Sequence, residues 1–305
     1  MEYTNPELLR RAQAIGEDIK EIESIDSMFA YNKAQKIIIN NKRKMFHQQL
    51  MRYAALLTLP LLITSLVFGY LFFHEPILED NYAEVTAAAG SVIRYELPDH
   101  SIVWLNAGTK MRYPTSFRKD NRIIELDGEA YFEVKADEES PFYVNTSSGL
   151  SVYVYGTEFN VVAYNNDNYI ETVLLNGKVN VISPKQEHVV LSPGEELHYN
   201  KSSKKLTKNM VNVYDKVAWK EGKLIFRNST LEDIFKRLER HFNVEIEFNN
   251  LDDKEYRYRA TFQNETLSQI LDYFAQSAAL KWKMEDAKQN ENYTFTKKRI
   301  IINLH

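Results

Sequence analysis

Residues 53–73, YAALLTLPLLITSLVFGYLFF, run for 21 residues without one charged side chain. As a helix rising about 1.5 Å per residue, the segment reaches roughly 30 Å, the thickness of a bilayer's hydrocarbon core. Pro60 and Gly69 are tolerable in a spanning helix. Tyr53, Tyr70, Phe72 and Phe73 sit near its ends, where interfacial aromatics collect. A cleaved signal peptide fits less well, because the segment starts after 52 residues and no small-residue cleavage pattern follows directly. The run Ala87-Ala88-Ala89 lies too far downstream, and a buried core helix would show a polar face.

The flanks set a direction. Lys33, Lys36, Lys42, Arg43, Lys44 and Arg52 precede the span with no acid among them, whereas Glu75, Glu79, Asp80 and Glu84 follow it with no Lys or Arg. The positive-inside rule then predicts a cytoplasmic N-terminus and an exported C-terminal part, a single pass through the membrane. A net charge of −4 and the lack of a basic stripe interleaved with aromatics argue against nucleic acid as a direct partner. The chain has no cysteine, which excludes disulfides, thiolate metal sites and cysteine nucleophiles without fixing the compartment.

Residues 1–52 read as amphipathic helix. Leu8, Ala12, Ile15, Ile19 and Ile22 recur every three or four residues, and a second stripe follows at Met28, Tyr31 and Ile38. Ser24-Ile25-Asp26-Ser27 offers an N-cap between two or three short helices. So small a piece buries little surface alone, so its apolar stripe predicts a partner helix or groove, the alternatives being helices that pack on each other or lie on the membrane surface.

From Val85 to about Asn200 short runs alternate apolar and polar residues. Asp127-Gly128 and Asn176-Gly177 each separate two such runs and read as type I′ hairpins, while LPDHS, NAGTK and LSPGEEL add turns. An all-β domain over 85–200, of ten or so strands in a sandwich or solenoid, is predicted. A lysine-rich stretch, NKSSKKLTKN at 200–209, then separates it from a second domain over 217–305.

In that second domain a unit recurs. FRNSTLEDIF at Phe226 and FQNETLSQIL at Phe262 share the pattern Phe-x-Asn-x-Thr-Leu-x-x-Ile. Thr230 with Asp233, and Thr266 with Gln269, have capping-box spacing, and apolar faces follow at Leu231, Ile234, Phe235, Leu238, Phe242 and at Leu267, Ile270, Leu271, Phe274, Ala278. Two βαβ repeats and a last strand are predicted, forming a small α+β domain with both helices on one side of a small sheet.

The blocks LPDHSIVWLNAGTKMRYP, IIELDGEAYFEVKADEESPFYV, VYGTEFNVVAY, ETVLLNGKVNV and LSPGEELHY resemble, in order and spacing, the successive blocks of the FecR domain. The chain departs from the pattern at Asp99-His100, where Asp-Gly is usual, and its three Trp (Trp104, Trp219, Trp282) all lie outside the cytoplasmic end, which contains Trp in many members. The part from AWKEGKLIF onward is similar to the secretin and TonB N-terminal (STN) module. The resemblance implies a single-span inner-membrane anti-sigma regulator, with its C-terminal domains in the periplasm. Its cytoplasmic end would bind an extracytoplasmic-function sigma factor, and its periplasmic end would meet the signalling domain of a TonB-dependent transporter. The span would be the substrate of an intramembrane protease.

On that reading the sigma-binding residues are Leu8, Ala12, Ile15, Ile19, Ile22, Met28, Tyr31 and Ile38, and the transporter-docking residues are Lys223, Leu224, Ile225, Phe226, Tyr258 and Phe262, on two strand edges. Some FecR-like proteins cleave themselves at a Gly-Thr, which here is Gly156-Thr157. The ordinary reading, a glycine bulge before a β-branched residue, is preferred, since the dipeptide reveals neither strain nor an activating base. Seven scattered His form no metal pair, and no Walker loop or nucleophile elbow occurs, so neither an enzyme, a cofactor nor a metal is expected. DEES at Asp137–Ser140 reads as a solvated turn rather than a metal site, and YNNDNY at Tyr164–Tyr169 as a polar hairpin loop. Two other classes remain open: a structural envelope scaffold, and a sensor binding carbohydrate through exposed tyrosines.

Overall fold

The computed structural model describes residues 6–24, 27–73, 81–119, 121–250, 255–290 and 293–304. Ile25 and Asp26 of the expected cap, the flanking acids Glu75, Glu79 and Asp80, and the side chain of Ile22 lie outside the described residues. The chain falls into two compact units, Met1–Leu78 and Glu79–His305.

The first unit is helical. Helix α1 (Pro6–Ser24) starts on a proline, whose fixed φ suits the first helical position. Helix α2 (Ser27–Phe73) runs unbroken for 47 residues, about 70 Å at ~1.5 Å per residue. Several short helices before a separate span were expected; instead the basic segment and the apolar segment share one helix. The reason is that no Gly or Pro stands between Ser27 and Leu59. Pro60 sits inside the helix and removes one backbone donor without ending it. The Thr64 hydroxyl there donates to the carbonyls of Pro60 (2.9 Å) and Leu61 (3.0 Å). Among the described residues this is the one helix long and apolar enough to cross a membrane, with mean hydropathy 2.1 over its best window and none of that window buried.

The second unit begins with fourteen strands: β1 (Tyr82–Thr86), β2 (Ile93–Glu96), β3 (Ile102–Leu105), β4 (Lys110–Pro114), β5 (Ile123–Asp127), β6 (Glu129–Glu133), β7 (Phe142–Thr146), β8 (Ser151–Val154), β9 (Glu158–Val162), β10 (Tyr169–Asn176), β11 (Val179–Ile182), β12 (His188–Leu191), β13 (Glu195–Asn200) and β14 (Leu206–Met210). They form two seven-stranded sheets, in the orders β1-β4-β5-β7-β8-β11-β12 and β14-β13-β10-β9-β6-β3-β2. Alternate residues of both sheets, among them Met111, Ile124, Val144 and Val152 of the first and Val103, Phe132, Phe159 and Val161 of the second, close one core, so the domain is a β-sandwich. The Phe132 ring stacks on Phe159 (centroids 4.9 Å apart) and meets Phe142 of the other sheet edge-on at 6.0 Å.

Three expectations are corrected here. Asp127-Gly128 and Asn176-Gly177 do not close hairpins: β5 and β6 lie in different sheets, as do β10 and β11, so each dipeptide carries the chain across the core. Gly128 (φ +141°) is needed because a Cβ there would stand 2.4 Å from the Thr109 hydroxyl. The stretch 200–209 is no linker, since β14 pairs with β13 as an edge strand, and its lysines suit an edge that must not recruit another strand. His100 takes φ +66° in the β2–β3 turn, the left-handed conformation for which glycine is the usual residue.

A short helix α3 (Val213–Val217) and a 3₁₀ turn (Ala218–Glu221) lead onward. Val217 and Trp219 bury themselves with Tyr131 on the outer face of the second sheet, beside Trp104 and Leu175. Lys220 Nζ lies 3.2 Å from the centre of the Tyr131 ring.

The C-terminal module comprises β15 (Leu224–Thr230), α4 (Leu231–Phe242), β16 (Val244–Asn250), β17 (Arg257–Phe262), α5 (Leu267–Ser277), β18 (Leu280–Glu285) and β19 (Lys298–Leu304). Thr230 and Thr266 cap their helices, and Thr266 with Gln269 makes the complete capping box. The strands form not one sheet but two, β15-β17 and β16-β19-β18. The first strands of the two repeats pair with each other, and the second strands flank β19, parallel for β16 and antiparallel for β18. The shared positions Phe226 and Phe262, Leu231 and Leu267, and Ile234 and Ile270 all enter one core.

Candidate functional site

Three features could meet a partner or carry a signal. The first is the helical stripe. Leu8, Ile15 and Ile19 of α1 are 64, 57 and 52% exposed, and Met28, Tyr31 and Ile38 of α2 are also exposed. Ala12 lies between them on α1, likewise exposed. The three- and four-residue spacing of this stripe is the pattern that helix-in-groove recognition uses. The side chain of Ile22, the remaining member of the stripe, lies outside the described residues.

The second is the ribbon of β15 and β17. Leu224 stands opposite Phe262 and Phe226 opposite Ala260, so the two expected docking edges are hydrogen-bonded to each other. Leu224, Ile225, Phe226 and Phe262 are buried, and the ring of Tyr258 packs edge-on against Phe274 at 5.0 Å. Lys223 Nζ binds Glu221 (2.8 Å) and the Tyr214 hydroxyl (2.6 Å), and the Glu221 bond raises its pKa. These are positions of the module's own architecture. What the ribbon offers outward is its strand edges and the exposed Arg227, Arg257, Arg259 and Thr261.

The Gly156-Thr157 step is also shaped by packing. Gly156 has φ +147°, and a Cβ there would stand 2.6 Å from the Ala136 Cα. Thr157 is buried, and its hydroxyl donates to the Lys178 carbonyl at 3.1 Å. That acceptor is no base, and no carboxylate or imidazole bonds the hydroxyl among the described residues.

The third feature is a polar seam between the C-terminal module and the outer face of the second sheet. From α4, Arg240 forms an ion pair with the buried Asp167, and its guanidinium lies 3.8 Å from the centre of the Tyr164 ring. Asp233 accepts from the Tyr169 hydroxyl at 3.3 Å, and the Arg240 carbonyl accepts from Gly90 N–H at 3.0 Å. From α3, Lys216 bridges Glu171 (3.0 Å) and Glu196 (2.5 Å). Burial pushes the Glu171 carboxyl up, but Lys216, His198 and Arg237 outweigh it and hold the carboxyl below its usual range. Glu196 moves up through burial and the neighbouring Glu171 charge. Lys216 is held above its usual range by the two carboxylates, against its own burial.

At the seam's centre lies Glu129. Its carboxylate accepts from Asn106 Nδ2 (2.7 Å) and Asn160 Nδ2 (3.1 Å). Burial pushes this carboxyl up, with Arg237 and the two amides pulling it back. Glu129, Asn160, Asp233 and Arg237 line a partly open cavity of about 110 Å³. The buried Asn160 Oδ1 has no hydrogen-bond partner.

Sequence reasoning missed this seam. Asp167 stands in the polar hairpin loop expected between β9 and β10, which do pair, yet its side chain is 4% exposed. The available signal was the spacing of Asp233, Arg237 and Arg240, which places three charges on one stripe of α4.

Residues 83–180 match the family model described as FecR protein, and residues 223–291 match the model described as FecR, C-terminal. Both stretches are similar to FecR proteins. The second match falls where the residues resemble an STN module, so that part of the chain carries the FecR C-terminal pattern. Two solved structures are similar to this chain, both titled "putative anti-sigma factor" from Parabacteroides distasonis ATCC 8503. One, at 1.65 Å, is 29% identical with a TM-score of 0.65 and covers 73% of this chain and 99% of its own. The other, at 2.50 Å, is 29% identical with a TM-score of 0.64 and covers 74% and 100%. No curated protein sequence matches the chain.

Proposed function

We propose that this chain is a single-span inner-membrane anti-sigma regulator. Residues 53–73 cross the membrane, residues 1–52 lie in the cytoplasm and hold an extracytoplasmic-function sigma factor, and the domains over 85–200 and 217–305 lie in the periplasm. The observation that carries the reading is the combination of FecR-type domains with an uncovered apolar stripe on α1, placed before a helix of membrane length. The similar structures titled as anti-sigma factors support it. The stripe of Leu8, Ala12, Ile15, Ile19 and Ile22, continued by Met28, Tyr31 and Ile38, is the sigma-binding face.

On the periplasmic side the C-terminal module docks, in the manner of an STN module, on the signalling domain of a TonB-dependent transporter. The residues around Lys223, Leu224, Ile225, Phe226, Tyr258 and Phe262 hold the β15–β17 ribbon in shape, and its edges make the contact. No reaction is assigned to the chain. The topology is tested with single cysteines at Lys36 and Lys283 in intact cells, since the chain has no native thiol. A membrane-impermeant maleimide should reach only the cysteine at 283. Labelling of the cysteine at 36, or of neither, would overturn the orientation.

A further inference from the structure

The sandwich and the C-terminal module close separate cores that share no residue. The contacts that join them among the described residues are polar, and the module is also tied to α3 by the Arg227–Asp215 ion pair at 3.2 Å. The Arg240–Asp167 ion pair, the Tyr169–Asp233 hydrogen bond and the Gly90–Arg240 backbone bond all cross the seam. Behind them lies the partly open cavity of about 110 Å³, with Asn160 Oδ1 unsatisfied at its wall. Protein–protein hydrogen bonds exchange for bonds to water at a small net cost, so a contact of this kind separates more readily than a packed apolar core.

The apolar anchorage near the seam comes from the linker and not from the module. Trp219 and Val217 bury on Tyr131, and Lys216 is held by Glu171 and Glu196, so the linker is fastened to the sandwich. Directly after it stands Gly222, exposed, at φ +73°, with nothing within 4 Å of where its Cβ would be. A pivot therefore sits between a fastened linker and a module docked by charges.

We propose that the C-terminal module is a releasable latch, which undocks from the sandwich as a folded unit by rotation about Gly222 and Lys223. Undocking breaks the contacts of Arg240 and Asp233 with the sandwich and the Arg227–Asp215 ion pair with α3, parts Arg237 from Glu129 and admits water to that carboxyl, while Trp219 and Lys216 stay in place. The two FecR-type domains thus have a closed and an open arrangement. The inference stands apart from the sigma-factor reading, because its test measures the opening alone.

The cysteine-free chain makes the opening measurable with one introduced thiol. Ser229→Cys places a thiol at the cavity wall, and Leu271→Cys places one in the module's core. In the full chain in detergent micelles, the cysteine at 229 should react with a maleimide at least about tenfold faster than that at 271. Adding Arg240→Ala should speed the first by about another tenfold, the factor that ~1.4 kcal/mol represents, and leave the second unchanged. Equal rates at the two positions, or equal acceleration of both, would show that the module opens only by unfolding and would overturn the latch.

Should Arg240→Ala fail to fold, the pair Gly90→Cys and Asn243→Cys gives an independent reading. An ideal Cβ on Gly90 lies 3.8 Å from the Asn243 Cβ, the separation a disulfide needs. Oxidising that pair should slow tryptic cleavage after Lys223 at least about tenfold, with recovery on reduction. Cleavage indifferent to oxidation would count against the latch.

Discussion

At the scale of single residues, burial decides more than identity. Glu129 is buried, and that burial raises its pKa although Arg237 of the module pulls it back. The folded state therefore holds a proton on Glu129 more tightly than the unfolded chain. Its contribution is fully present below the unfolded value and is lost as pH rises through the folded one. Glu171 acts in the opposite sense, since its lowered pKa gives stability that is lost as pH falls below the usual carboxylate range. The expected result is that Glu129→Gln flattens the decline in urea midpoint as pH rises above the usual carboxylate range and leaves the acid limb unchanged. Trp fluorescence at each pH checks it; a variant whose slope matches the native chain would contradict the assignment.

Glycines make a second residue-scale test. Gly156→Ala meets the Ala136 backbone at 2.6 Å at a φ of +147°, whereas Gly108→Ala, at φ +74°, meets nothing within 4 Å. The first should cost about 2–4 kcal/mol and the second about 1 kcal/mol in urea unfolding. Equal costs would mean that the backbone at 156 gives way. None of this was legible in the sequence beyond the presence of a glycine, because the neighbour that decides the cost is 20 residues away in the chain.

Among the elements, local signals were the readable ones. The caps at Thr230 and Thr266, the apolar faces of α4 and α5 and the helical stripe of α1 all follow from spacing within a few residues. Thr266→Ala should cost about 1 kcal/mol, as should Thr230→Ala, and the double variant should show roughly the sum. A double variant as stable as either single one would show that the caps are coupled. What failed were inferences from adjacency. A strand break at Asp-Gly was read as a hairpin because neighbouring strands usually pair, yet Asp127-Gly128 and Asn176-Gly177 mark crossings between sheets. Likewise the repeat was legible, but its strand pairing was not. The closing strand β19 belongs to neither copy and sits between β16 and β18. Nothing within one copy announces that.

For the molecule as a whole, the features that carry the functional reading lie in different places. One compact unit holds the apolar stripe and the helix of membrane length; the other holds two FecR-type domains joined by a seam of charges. The seam was the part least visible in the sequence, since its ion pair joins residues as distant as Asp167 and Arg240, each ordinary in its own segment. The stripe was the most visible, and the central claim rests on it. The direct measurement is binding of purified sigma factors from the chain's own source, each in turn, to the full chain in lipid nanodiscs, compared with an Ile15→Asp/Ile19→Asp variant. The result expected is saturable binding by the native chain, weakened at least about a hundredfold by the two charges on α1, a change of ~2.8 kcal/mol, with the thermal unfolding of the β domains unchanged. No binding by the native chain, or equal binding by the variant, would contradict it.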